Sequence, residues 1–413
     1  MRILFAAPGY KPATRFGGPI HSVAAIAEEL VRRGHEVSVF TTNANLDETL
    51  DVATNVPIDV EGVQVWYFER QEPLQRFFPG IPYLARSMGV LYSPAMARAL
   101  EEFVPHVDLV HTHLPFIYPT YAAAKAAQRH CKPLFYHQRG VFDPERLKFR
   151  SLKKLLYLKL FELPVLRRAA VLLALTEAEV ASYRQLGLTA PIRLVPNGIA
   201  CDEYTGRGGE EAIPELDIDA SKRVILFMGR IHPIKGVDVL LEAFLQVAAE
   251  FPDALLVLAG PDEFQLRAAL EQRAVAAAVV GRVRFPGMVQ GELKKRLLAR
   301  ADLFCLPSVA EGFSMAVLEA LASETAVLLS PGCHFAEAEM AGAGLVVERA
   351  PAAVAGALRE LLSDPQRLRR MGLAGRKLVQ AEYSWDAVVD KLLDAYSEAV
   401  LQEASHPDRV SAA

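Results

Sequence analysis

Two cations and two carboxylates carry the densest chemistry in this sequence. Arg230 and Lys235 stand five residues apart in Gly229-Arg230-Ile231-His232-Pro233-Ile234-Lys235-Gly236. Cations at that spacing across a proline turn can converge on a diphosphate and stabilise it as a leaving group. Glu311 and Glu319 bracket Gly312-Phe313-Ser314, with Glu311 in a turn and Glu319 on the helix that resumes at Met315. A carboxylate in either place can accept hydrogen bonds from sugar or ribose hydroxyls. Ser314 is placed to cap that helix, leaving its free N–H groups and dipole end as a seat for an anion. The plainer alternatives are a solvated ion pair and a surface Glu-Gly loop.

Three further segments end apolar runs. Phe16-Gly17-Gly18-Pro19 is a turn whose missing side chains let the backbone approach a ligand closely, or it is ordinary turn punctuation. His111 and His113 alternate with Thr112, which puts both on one strand face; that permits metal binding, but with no third ligand nearby in the sequence a structural role is expected. His137, beside Arg139 in Tyr136-His137-Gln138-Arg139-Gly140, is placed to touch a substrate or to pack as a core histidine. Asp217-Ile218-Asp219 has the form of a short metal motif but lies away from any strand end, so a solvated turn is expected.

The elements that must position these residues read as short buried strands alternating with helices, the pattern of parallel α/β sheets. Strands are expected at 3–8, 37–42, 63–68, 109–113, 133–138, 171–176 and 192–196, then from Val224 to Gly229 and at 255–260, 283–286, 303–306, 326–329 and 345–347. A helix over 22–33, apolar at Val23, Ile26, Ala27, Leu30 and Val31, is stopped by Gly34. The sparse periodicity of 200–222 marks an interdomain connection, which gives domains at 1–198 and 199–382. An amphipathic helix follows Tyr383-Ser384-Trp385, and 403–413 reads as a flexible tail.

Composition narrows the function classes. A chain of 413 residues, 52% apolar, fits two domains that each bury a core. A net charge of −4 argues against a general nucleic-acid binder. The four cysteines are scattered, with no C-x-x-C pair, as expected in a reducing compartment. Pro8-Gly9 breaks the first apolar run before a signal-peptide core forms, and no apolar stretch reaches the ~18 residues of a spanning helix. The expectation is a soluble protein, at most peripheral to a membrane.

Taken in order and spacing, Gly17-Gly18, His137, Arg230 with Lys235, and Glu311 with Glu319 resemble the signature of glycosyltransferase family 4. Val195-Pro196-Asn197-Gly198-Ile199, Leu258-Ala259-Gly260, Phe285-Pro286-Gly287 and Tyr383-Ser384-Trp385 support the likeness, which covers residues 1–400. The resemblance implies the GT-B fold, two Rossmann-like parallel-sheet α/β domains facing a central cleft, with the 383–400 helix crossing back to the first domain. It implies a retaining, nucleotide-sugar-dependent transferase in which Arg230 and Lys235 hold the donor diphosphate and Glu319 the ribose. Glu311 and the backbone of Gly312, Phe313 and Ser314 would then hold the transferred sugar. Gly287, Met288 and Val289 would face the base, and His137 with Gly17 and Gly18 would lie near the reacting centre and phosphate. His137, Arg230, Lys235 and Glu311 are thus the expected catalytic residues. No cofactor and no metal is implied, because cations and helix dipoles offset the leaving-group charge. Ser314, where many relatives have Gly or Pro, and the loop Ser330-Pro331-Gly332-Cys333-His334-Phe335 depart from the family's usual form and leave the donor sugar open.

The expected partners are a nucleotide sugar and a glycan or glycolipid acceptor, in polysaccharide or lipopolysaccharide assembly on the cytoplasmic side. Residues 73–92 are aromatic and apolar among prolines. Residues 146–168 carry Arg146, Lys148, Arg150, Lys153, Lys154, Lys159, Arg167 and Arg168 among leucines and phenylalanines, a pattern suited to an anionic membrane surface or to a solvated face. Two rival readings stand beside transfer: a nucleotide-sugar 2-epimerase of the same architecture, and a non-catalytic sugar-nucleotide binder, which would not need both glutamates and both cations.

Overall fold

A computed structural model describes residues 1–13, 15, 18–46, 48–71, 91–142, 152–206 and 211–405. The chain divides into two compact units, Met1–Asn197 with Val388–Ala413, and Gly198–Ala387.

The first unit is built on a sheet of eight strands: β1 (Arg2–Ala6), β2 (Glu36–Thr42), β3 (Pro57–Val60), β4 (Val63–Phe68), β5 (Leu109–His113), β6 (Leu134–His137), β7 (Val171–Ala174) and β8 (Ile192–Leu194). Their order is β8-β7-β6-β5-β1-β2-β4-β3, and every pair is parallel except β3 with β4. Strand β3 is not among the expected strands, because its Pro-Ile-Asp-Val run is half exposed rather than a buried apolar stretch. It pairs as a hairpin edge through Glu61 and Gly62, both with positive φ.

Helix α1 (Gly18–Arg32) begins four residues before its expected start at 22. Val23, Ile26, Ala27 and Leu30 are buried, as their spacing predicts. Gly34, at φ +85°, donates to the Val31 carbonyl, and His35 donates to that of Leu30, which closes the helix as a glycine C-cap does.

The second unit has six parallel strands: β9 (Arg223–Met228), β10 (Ala254–Ala259), β11 (Val283–Gly287), β12 (Leu303–Leu306), β13 (Ala326–Leu329) and β14 (Gly344–Val346). They run in the order β11-β10-β9-β12-β13-β14, the Rossmann order, with its reversal between β9 and β12. Helices α2 (Val237–Val247), α3 (Gly291–Arg300) and α4 (Met315–Ala322) pack on it. The connecting segment is tied down by Arg300, 3% exposed, which donates to the carbonyls of Glu211, Asp219, Ala220 and Lys222.

The last helix, α5 (Trp385–Ser405), starts in the second unit and belongs to the first from Val388 onward. It buries Val388, Val389, Leu392 and Tyr396. It also continues through Ser405, three residues into the stretch expected as a tail; 406–413 lie outside the described residues. No helix among the described residues is long and apolar enough to cross a membrane.

Candidate functional site

In an open parallel sheet the loops on either side of the order reversal lie side by side at the carboxyl edge. Here those loops are Gly229–Gly236 after β9 and Pro307–Ser314 after β12, which carry the cations and Glu311. The backbones interlock: Val309 N–H and the Ser308 hydroxyl both donate to the Ile234 carbonyl, at 2.7 and 2.9 Å. Arg349 donates from Nε to the Pro307 carbonyl at 3.1 Å. Gly236 permits this approach; at φ +71° a Cβ there would lie 2.0 Å from the Pro307 carbonyl oxygen. A second close approach is at Gly332, where a Cβ would meet the Val309 carbonyl at 2.2 Å and where the carbonyl accepts from Glu311 N–H at 2.8 Å.

This frame sets Lys235 Nζ 2.7 Å from both carboxylate oxygens of Glu311. Glu311 is 5% exposed and the Lys235 side chain 18%. Arg230 points elsewhere: its NH1 meets Glu263 Oε2 at 3.0 Å, and both side chains are about half exposed. So the two cations expected to converge on one anion each hold a different carboxylate in this structure. His232 accepts the Ile234 N–H at Nδ1 and sets its ring edge-on to Phe264 at 4.2 Å.

Glu319, on α4, accepts from Lys294 Nζ of α3 at 2.7 Å. Tyr204 lies beside it, and burial, with Glu319 second, holds the Tyr204 hydroxyl well above its usual range. Ser314 occupies the position before α4, but its hydroxyl makes no capping bond, contrary to expectation; φ −89° and ψ 103° leave it on an extended backbone. The turn is braced instead by Phe313, whose ring lies 6.2 Å from Phe335 and 6.1 Å from Tyr383. Gly312 is half-buried beside it. At the end of β11, Gly287 takes φ +74° and its carbonyl accepts from Gly260, while Met288 is exposed and Val289 half-buried. Asp217 and Asp219 occupy a turn, paired with Arg284 and Ser221, as a solvated turn requires.

In the first unit Gly18 opens α1 with nothing within 4 Å of where a Cβ would be, whereas Phe16 and Gly17 lie outside the described residues. Strands β5 and β6 end side by side, with His113 opposite His137 in register. The third histidine, absent from the local sequence around His111 and His113, is supplied by the neighbouring strand. His111, His113 and His137 are all buried and offer ring nitrogens within 4.8 Å of one another. Burial, with the Arg139 charge beside it, holds all three well below the usual histidine range, so the rings are neutral at pH 7.

Sequence reasoning singled out Lys235, Glu311 and Glu319 but missed the pairing of Lys235 with Glu311 across 76 residues, and missed Lys294 and Tyr204 altogether. The β9–β12 adjacency of a Rossmann sheet was the available signal for the first. Nothing in the local pattern marks the other two.

Two parallel-sheet units, the second with charged side chains paired at a strand-order reversal, define an α/β protein of the GT-B fold. Solved structures bear this out. A sucrose-phosphate synthase from Thermosynechococcus elongatus aligns over 97% of this chain and 100% of its own, with TM-score 0.73 and 21% identity. HepE of Anabaena, in complex with UDP, aligns over 96% and 100%, with TM-score 0.70 and 18% identity. Residues 16–203 match the model described as Glycosyltransferase Family 4, and 209–378 match Glycosyl transferases group 1. The D-inositol 3-phosphate glycosyltransferase of Gordonia bronchialis is 30% identical over 408 residues, 95% of this chain and 86% of that one. Another curated relative of that description matches over only 54% of its own length. The chain belongs to the group 1 glycosyltransferases, and it is a glycosyltransferase.

Proposed function

We propose that this protein moves a sugar, with retention, from a nucleoside-diphosphate sugar to a hydroxyl of a lipid-linked or envelope glycan on the cytoplasmic side of the membrane. The observation that carries the reading is the Lys235–Glu311 pair, 2.7 Å and almost buried, at the order reversal of a Rossmann sheet. The UDP held by HepE supports a nucleoside diphosphate as donor. In this reading Lys235 exchanges part of its bond with Glu311 for a phosphate oxygen, Arg230 swings from Glu263 to the same group, and Glu311 turns to the transferred sugar. Glu319, already oriented by Lys294 with Tyr204 beside it, accepts the ribose hydroxyls. The base lies along the backbone at Gly287, Met288 and Val289. The acceptor attacks from the face the diphosphate leaves, and a phosphate oxygen takes its proton. The protein supplies position and charge. His137, neutral, accepts from a sugar hydroxyl through its unprotonated ring nitrogen, and no metal takes part.

The helical stretch from Leu152 to Leu166 exposes Leu155, Leu156, Leu160 and Phe161 beside Lys159, with Arg167 and Arg168 following. That combination supports contact with an anionic membrane, where a lipid-linked acceptor would be found. Arg146, Lys148 and Arg150, like 73–90, lie outside the described residues.

The test is a thermal-shift screen of UDP-, GDP- and ADP-sugars, followed by nuclear magnetic resonance of the stabilising donor with and without glycan acceptors and with a chelator. Transfer needs one donor to raise the melting point, its signals to persist without acceptor, and turnover to survive chelation. Interconversion of the donor alone would mark an epimerase instead.

A further inference from the structure

Arg139 is the least explained charge in the first unit. It sits at φ +52°, a left-handed backbone that non-glycine residues rarely adopt and that recurs at functional positions. Its guanidinium is buried, and burial pulls it down to about 10, so it remains charged at neutral pH. Nε donates to His113 Nδ1 at 3.3 Å and NH1 to Asn197 Oδ1 at 2.8 Å, both neutral acceptors. NH2 is buried without a partner. Among the described residues no carboxylate forms a salt bridge with it; Glu179 acts on it only through space. A buried cation left in this way is costly, and an anion at the open NH2 would offset the cost.

The neighbouring rings make the same demand. Because Arg139 donates into His113 Nδ1, the His113 proton must sit on Nε2, which is buried and unpartnered. Neither nitrogen of His137 has a partner, and a neutral ring keeps one N–H. His111 is anchored through Nδ1 to the Tyr396 hydroxyl at 2.6 Å. A divalent metal on the three histidines is disfavoured: the one free His113 nitrogen carries a proton, and a guanidinium lies 3.3 Å from that ring. What remains is a group of buried donors around one positive charge.

We infer that Arg139, His113 and His137 form a subsite for one oxyanion, a phosphate or a carboxylate, held within the first unit. Arg139 supplies charge and a fixed fork, and the two rings supply N–H donors. If the protein transfers a sugar as proposed above, this subsite selects acceptors that carry such a group, a clause that rests on that reading. The subsite itself does not.

The experiment titrates the full-length protein, saturated with UDP, with inorganic phosphate and separately with acetate, following heat by calorimetry. UDP occupies the phosphate-binding cations of the second unit, so its own binding isotherm tests the donor reading independently. At least one of the two anions should bind, and Arg139→Gln should weaken it about tenfold or more, with UDP affinity unchanged. Phosphate alone points to a phosphorylated ligand, and acetate as well to a carboxylated one. Should Arg139→Gln lose UDP binding through misfolding, His113→Gln keeps the charge and should still weaken the anion several-fold. Absence of binding by both anions, or equal binding by the variant that folds, overturns the subsite.

Discussion

Replacing Lys235 by alanine separates the two roles its contacts suggest. The pair it forms with Glu311 has two 2.7 Å contacts and a carboxylate only 5% exposed, so removing the lysine strands a buried charge. Breaking such a pair costs about 3–5 kcal/mol. For a unit of the size of Gly198–Ala387 that is a melting-point loss of about 6–20 °C, since each kcal/mol shifts the midpoint by about 2–4 °C. Loss of one preorganised charge at a leaving group slows turnover about 10²–10³-fold. The double variant Lys235→Met with Glu311→Gln removes the stranded charge. It should recover most of the lost stability and none of the activity. Melting by differential scanning calorimetry and turnover with the stabilising nucleotide sugar, measured well below each midpoint, make the comparison. The reasoning is refuted if Lys235→Ala keeps turnover within tenfold of the wild type, or if the double variant regains it.

Three other outcomes follow from the same geometry. Gly236→Ala, facing a backbone oxygen at 2.0 Å and forced to φ +71°, should push the two loops apart, lowering the melting point and the affinity for UDP together; loss of stability alone would mean that the loops do not set the phosphate site. Glu319→Gln should raise the KM for the nucleotide sugar about 10–100-fold, and Lys294→Met should give a smaller rise through the same contact; an unchanged KM in both removes Glu319 from the ribose. The buried histidines should make the first unit acid-sensitive. Each is neutral in the fold and takes a proton in the unfolded chain as pH drops below the ordinary 6.5, so stability is whole above that value. It should fall toward the depressed folded values by up to about 1.4 kcal/mol per pH unit per histidine. Melting curves from about pH 7.5 to about pH 5 should be steeper for the wild type than for His111→Gln, and equal slopes would contradict the assignment.

Much of the scaffold was legible because parallel strands buried on both faces leave continuous apolar runs, as Val224-Ile225-Leu226-Phe227 and Leu303-Phe304-Cys305-Leu306 do. Strand β3 was not, since an edge strand alternates and this one carries Asp59 within a four-residue run. The charged residues of the second unit could be named from their places after strands, but their pairing could not. Lys235 meets Glu311 only because β9 and β12 are sheet neighbours, and Lys294 meets Glu319 only because α3 packs beside α4. The histidines show the limit most clearly. Two of them share a strand and read as a pair, while the third and its arginine arrive through registry between β5 and β6, which local spacing does not encode.

The course of α5 bears on how the protein is made. The first unit is completed by Val388, Val389, Leu392 and Tyr396, which leave the ribosome after all of the second unit has been synthesised. Emerging early, Met1–Asn197 must wait with part of its apolar surface uncovered, while the inserted unit has its whole sequence first. The hydroxyl of Tyr396 that anchors His111 arrives last of all. A chain stopped short of α5 would therefore retain Lys235, Glu311 and Glu319 of the second unit and lack the element that finishes the histidine cluster.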